Sequence, residues 1–152
     1  MPDKMNEQQL VDFVKKYVDV LCVQNAAAIL NFHAENSIIT SAQEPGSAMG
    51  RGDLLKYIEA RQWAFPDFHF QSTNIKAFPD KQIATFEWKV TGTFQNALKD
   101  IPPNGRKVSH SGTTELYIVN GRIVRETSFQ DKSAFIAQLV KPPVDSAAGH
   151  IA

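Results

Sequence analysis

The apolar residues of this chain change their spacing once, at Pro66. Before it, Leu10, Val14, Tyr17, Val18 and Leu21 recur at the period of one helix face. After it, Ala84, Phe86, Trp88 and Val90 alternate with Thr85, Glu87 and Lys89, the period of a strand with one buried side. Helices followed by a run of strands predict an α+β domain, not the alternating βαβ order of a parallel sheet. A long twisted sheet needs its apolar face covered, and the N-terminal helices are the available cover. Helices laid across a curved, mostly antiparallel sheet make a cone, and its wide end is the default place for a pocket.

Local signals divide this plan into elements. Asn6 with Gln9 reads as a capping box, and Met5 with Leu10 as the hydrophobic staple around it. Asn25 is placed to cap a short helix over Ala26–Phe32. Ser37–Ser41 reads as a short strand, and Gln43–Gly50, broken by Pro45, Gly46 and Gly50, as a loop. Gly52-Asp53 opens a third helix carrying Leu54, Leu55, Ile58 and Arg61, which Pro66 ends. Strands are expected over Asp67–Phe78 and Gln82–Phe94, with a turn at Pro79-Asp80. After a loop over Gln95–Gly105, Lys107–Val119 and Arg122–Gln130 form a hairpin about Asn120-Gly121, which favours a type I′ turn. A short helix over Lys132–Leu139 follows. The expected organisation is one domain over 6–140 and a loose tail over 141–152, with two prolines and small residues.

Composition excludes several function classes. A chain of 152 residues supports one domain with a sizeable core. Sixteen basic residues balance sixteen acidic ones with no basic stripe, which argues against nucleic acid as a partner. Met1-Pro2-Asp3-Lys4 leads into a polar stretch rather than a signal peptide, and no apolar run has the length of a membrane span. With one cysteine, Cys22, no internal disulfide forms; a reducing, cytoplasmic setting is the simple expectation, and Cys22 itself reads as a small core residue. Gly50-Arg51-Gly52 lacks the third glycine of a dinucleotide loop. No serine-hydrolase elbow is present, and His33, His69, His110 and His150 show no metal-binding spacing, so neither metal nor cofactor is expected.

Two ionisable residues stand out. Asp131 follows a strand and precedes the last helix. It can cap that helix, or it can stand at the rim of an apolar cavity as a base. His110 shares strand parity with Val108, Gly112, Thr114, Leu116 and Ile118, so it is expected to face inward. The opposite parity carries Ser109, Ser111, Thr113, Glu115 and Tyr117. Trp63, Trp88, Phe94, Glu115 and Tyr117 are the candidates for lining a substrate pocket.

Taken in order, Gly52, Phe65-Pro66-Asp67, Trp88 with Gly92-Thr93, Pro102-Pro103-Asn104-Gly105-Arg106, Gly112, Asn120-Gly121-Arg122-Ile123, Asp131 and Gln138-Leu139 resemble the SnoaL-like polyketide cyclases. The likeness runs over about Leu10–Leu139. It implies the NTF2-like cone, a cofactor-free domain that pairs as a homodimer or larger, a deep apolar pocket for a hydrophobic small molecule, and ring closure by intramolecular aldol condensation. It also implies an acid/base role for Asp131. The chain departs from the family pattern at Thr127, where an aromatic is common, at Phe94, where histidine is common, and at Val140, where glycine is common. The expected function is a cofactor-independent cyclase or isomerase, with Asp131 taking a proton from carbon and His110, with Tyr117 in reserve, stabilising the enolate. The alternatives are a non-catalytic binding module, and an epoxide hydrolase that pairs Asp131 with Glu115 or Glu126.

Overall fold

The computed structural model describes residues 4–41 and 48–144. Helix α1 spans Glu7–Cys22. Its capping box is formed: Asn6 Oδ1 accepts the Gln9 N–H, and Gln9 Oε1 accepts the Asn6 N–H, both at 2.8 Å. Asn25 caps helix α2, Ala26–Asn31. Strand β1 covers His33–Ser41, beginning four residues before the expected Ser37. Its early part does not alternate, because the register slips between His33 and Ile38. Helix α3 spans Arg51–Ala64. Strands β2 (His69–Phe78), β3 (Ile83–Thr93), β4 (Lys107–Val119) and β5 (Arg122–Gln130) follow, and helix α4 spans Lys132–Leu139. Most of the loop expected at Gln43–Gly50 lies outside the described residues.

The five strands form one sheet in the order β1-β5-β4-β3-β2. Three pairings are antiparallel, and β1 lies parallel to β5 at the edge, so the sheet is mixed. Asn120 and Gly121 both take positive φ, 51° and 76°, as the tight hairpin requires. The described fold is thus four α-helices and a curved mixed sheet, an α+β cone.

One sheet face carries Ala84, Phe86, Leu116 and Ile123 and packs under α1, α2 and α3, with Leu10, Val14, Tyr17, Ile29 and Ile58 filling the space between. A second, smaller core joins Ala64, Phe65, Phe94, Val108 and Leu139 at the other end of the same face. Gly112 sits between the two. Its register partners are Trp88 on β3 and Gln130 on β5. A Cβ there would lie 2.6 Å from Trp88 Cζ2 and 2.7 Å from the Phe129 carbonyl, so only glycine lets the indole lie this close.

Strand β5 stops opposite Gly112, which leaves β4 from Lys107 to Ser111 without a neighbour on that side. Helix α4 takes the vacant place. The Gln138 side chain accepts the Ser109 N–H at 3.0 Å and donates to the Ser109 carbonyl at 2.8 Å, as a paired strand would. Buried Asn104 then donates to the carbonyls of Gln138, Leu139 and Lys141, which satisfies the end of α4. The first residues of the expected tail are tied down as well. Val144 N–H donates to the Asn104 carbonyl, and Arg106 Nε donates to that of Pro142, each at 2.6 Å. The rest, 145–152 with His150, lies outside the described residues. No helix among the described residues is long and apolar enough to cross a membrane.

Candidate functional site

Where α4 crosses β4, a cleft of about 420 Å³ opens to solvent, lined by Lys89, Ser109, His110, Ser111, Asp131, Ala134 and Gln138. His110 faces inward as its parity predicted. Its ring lies between Trp88 and Phe135, at centroid distances of 5.6 and 5.1 Å, and its Nε2 is 2.7 Å from Gln130 Oε1. Trp88 is half-buried, and its indole N–H donates to Thr114 Oγ1 at 2.9 Å. Thr114 in turn bonds Ser128 at 3.2 Å.

Asp131 shares this cleft but is not enclosed by apolar surface. The chain leaves β5 there and turns into the exposed first turn of α4, so the carboxyl stands in solvent. Its Oδ1 accepts the Ala134 N–H at 3.0 Å, which is the capping bond. The expected greasy hollow around this side chain is therefore corrected to a wet cleft with polar walls.

The other nominated residues fall elsewhere. Trp63 projects from α3 and is 62% exposed. Phe94 is wholly buried against Phe65 in the smaller core and has no face left for a ligand. Glu115 and Tyr117 sit on the opposite sheet face from His110, because alternate residues of a strand point opposite ways. Tyr117 there lies under Arg125, at 5.5 Å. Glu115 and Glu126 face opposite sides of the sheet, and neither lines the cleft that Asp131 shares. Cys22, expected in the core, is exposed, and its thiol donates to the Phe70 carbonyl.

The structure also assembles a group that the sequence pattern did not reveal. Tyr17 on α1 donates its hydroxyl to Glu126 Oε1 on β5 at 2.6 Å, and its oxygen lies 3.0 Å from His33 Nε2 on β1. His33 Nδ1 is 2.8 Å from Ser37 Oγ, and Nε2 is 3.5 Å from Glu126. Tyr17, His33 and Ser37 are buried. Burial, and then the neighbouring Glu126 charge, hold the Tyr17 phenol well above its usual pKa, so it stays a neutral donor. Tyr17 reads as one more apolar member of the α1 face, and His33 meets Ser37 only because the register of β1 slips between His33 and Ile38. Nearer the smaller core, Asp67 accepts from the Thr93 N–H and hydroxyl, both at 2.7 Å. The Thr93 N–H bond is the main cause that lowers its carboxyl pKa. Among the described residues, no group of three or more His, Cys, Asp or Glu side chains is placed to hold a metal ion.

The profile of the SnoaL-like polyketide cyclases matches residues 11–139. The chain belongs to the SnoaL-like polyketide cyclase family. Solved structures agree on the fold of this SnoaL-like chain. AclR from Streptomyces galilaeus, a candidate hydroxylase, superposes with a TM-score of 0.77 at 19% identity, over 96% of this chain and 90% of its own. A candidate SnoaL-like polyketide cyclase from Jannaschia sp. CCS1 gives 0.78 at 16% identity, over 90% and 95%. IdmH from Streptomyces antibioticus, a candidate polyketide cyclase, gives 0.70 at 20% identity, over 86% and 98%. No curated protein matches the sequence. At these identities the structural likeness establishes the NTF2-like fold, while the family profile establishes membership.

Proposed function

We propose that this SnoaL-like protein is a cofactor-independent enzyme that moves a proton on a hydrophobic carbonyl compound, with the His110 cleft as its site. The reaction is ring closure by intramolecular aldol condensation, or an isomerisation through the same enolate. The observation that carries this reading is the meeting of His110 and Asp131, distant in sequence, on one cleft beside the aromatic rings of Trp88 and Phe135.

The placement exchanges the roles that the sequence suggested. Asp131 is exposed and already accepts a capping bond, so water competes for it. The half-buried His110 imidazole is better placed to take the proton from carbon next to a carbonyl. The carbon then attacks a second carbonyl, and the imidazolium returns its proton to the new alkoxide. The Asp131 charge, facing the same cleft, stabilises the imidazolium while it exists. Membership of the SnoaL-like polyketide cyclase family supports carbonyl chemistry of this kind, on a compound with an apolar body. We also propose that the protein pairs with a second copy through the uncovered sheet face, where Ile38 and Phe129 are 50% and 44% exposed; light scattering measures this directly.

The catalytic reading is tested by washing α-protons out of aryl-substituted 1,3-dicarbonyl compounds in D2O, followed by NMR. The protein is expected to accelerate exchange, and His110→Ala to slow it by roughly a hundredfold. Equal exchange with both proteins would overturn it. The capping bond of Asp131 favours a second reading, a binding module without chemistry. That reading expects Asp131→Ala to lower stability while leaving the affinity for the same dicarbonyl compounds unchanged.

A further inference from the structure

We propose that Gln130 is a positioning residue that fixes His110 in the tautomer carrying its proton on Nε2, leaving Nδ1 as the nitrogen that takes up a proton. In neutral imidazole one ring nitrogen donates and the other accepts. Gln130 Oε1, which can only accept, lies 2.7 Å from Nε2, so Nε2 carries the hydrogen. The aromatic neighbours cannot make this choice. The faces and edges of Trp88 and Phe135 hold the plane of the ring, but the one strong donor among them, the Trp88 indole N–H, is already given to Thr114.

Backbone geometry explains why a glutamine at this position reaches the histidine. Gln130 is the last residue of β5 and lies in register with Gly112, two residues along β4 from His110. Position 112 has no side chain, and any Cβ there would collide with Trp88. The gap therefore lets the indole, the imidazole and the amide of Gln130 share one corner of the sheet. The bond from Nε2–H to the carbonyl oxygen of Gln130 leaves the lone pair on Nδ1. Its catalytic consequence rests on the reading of His110 as the base; the tautomer itself does not.

The test uses the full chain labelled with ¹⁵N and long-range proton–nitrogen spectra of the His110 ring. In the unsubstituted protein Nδ1 is expected to be the bare, pyridine-like nitrogen. Gln130→Met is expected to abolish that preference. Gln130→Glu, which keeps an acceptor and adds a charge, is expected to keep the proton on Nε2 and move the His110 titration to higher pH. A proton on Nδ1 in the unsubstituted protein, or an unchanged ring spectrum in Gln130→Met, overturns the assignment. If Gln130→Met fails to fold, judged from its amide spectrum, Gln130→Glu decides alone, and an unmoved titration overturns it. The same variants enter the α-proton exchange assay, where Gln130→Met is expected to be slower by about tenfold. A changed tautomer with unchanged exchange would remove His110 from the chemistry and leave the positioning role standing.

Discussion

Strand β5 presents Glu126 and Gln130 on the same face, about 14 Å apart, and each meets a histidine. Around Glu126 the space is closed. Helix α1 and strand β1 bring Tyr17, His33 and Ser37 together, and the bonds among them satisfy the groups taken out of water. Around Gln130 the space is open. A short helix held mainly at its far end covers the sheet only partly, and His110 looks into a solvent-filled cleft. The same kinds of side chain thus serve cohesion at one end of a strand and are available for chemistry at the other. Closure by neighbouring elements, not residue type, separates the two.

Substitutions sharpen this contrast. The largest effect is expected from Glu126→Ala, which removes the charged acceptor of the buried Tyr17 hydroxyl and leaves that hydroxyl only His33 as a partner. A loss of about 3 kcal/mol is expected, seen as a Tm lower by roughly 9 °C, with the His110 ring spectrum unmoved. Parallel changes at both ends would break the contrast. Next, Gly112→Ala should cost about 2 kcal/mol in urea melts by driving the Trp88 ring and the Phe129 carbonyl apart, and it should disturb His110 but not Tyr17. Tyr17→Phe should cost about 1.5 kcal/mol near neutral pH and also change the alkaline limb of stability. A phenol whose native pKa is raised contributes fully below its unfolded value, near 10, and loses that contribution as pH rises toward the native value. The Phe variant should therefore lose less stability than the parent above pH about 10, and identical alkaline slopes would refute this. The smallest effect is at Asp131. Asp131→Ala should cost about 1 kcal/mol through the lost cap, whereas Asp131→Asn, an equally good cap, should leave the melting curve in place. Any change in proton exchange in the Asn variant then reports the charge alone.

Much of the fold is legible in local chemistry. The capping box at Asn6 and Gln9, the hairpin at Asn120-Gly121 and the bounds of the last two strands and last helix follow from patterns within a few residues. The sheet's edge is not legible in that way. Strand β1 begins at His33 because of parallel pairing with β5, a partner some ninety residues away, with a slipped register that spoils its alternation. The site shows the same division. Parity along β4 correctly turns His110 inward and would have turned Glu115 and Tyr117 outward. The Tyr17–Glu126–His33 group stayed hidden because it joins three elements, and Tyr17 satisfies the apolar helical pattern while its hydroxyl does something else. Phe94 illustrates the converse, since an aromatic side chain suits a pocket wall and a core equally well, and here the core took it.

The amide of Gln138 standing in for a missing strand has a wider consequence. The Gln138 side chain occupies the backbone hydrogen-bonding groups of a bare rung of β4, and three carbonyls gathered by Asn104 keep that side chain at its post. Shortening the protein from its C-terminus to before Gln138 would thus do more than remove a helix: it would uncover a sticky margin on which copies can stack.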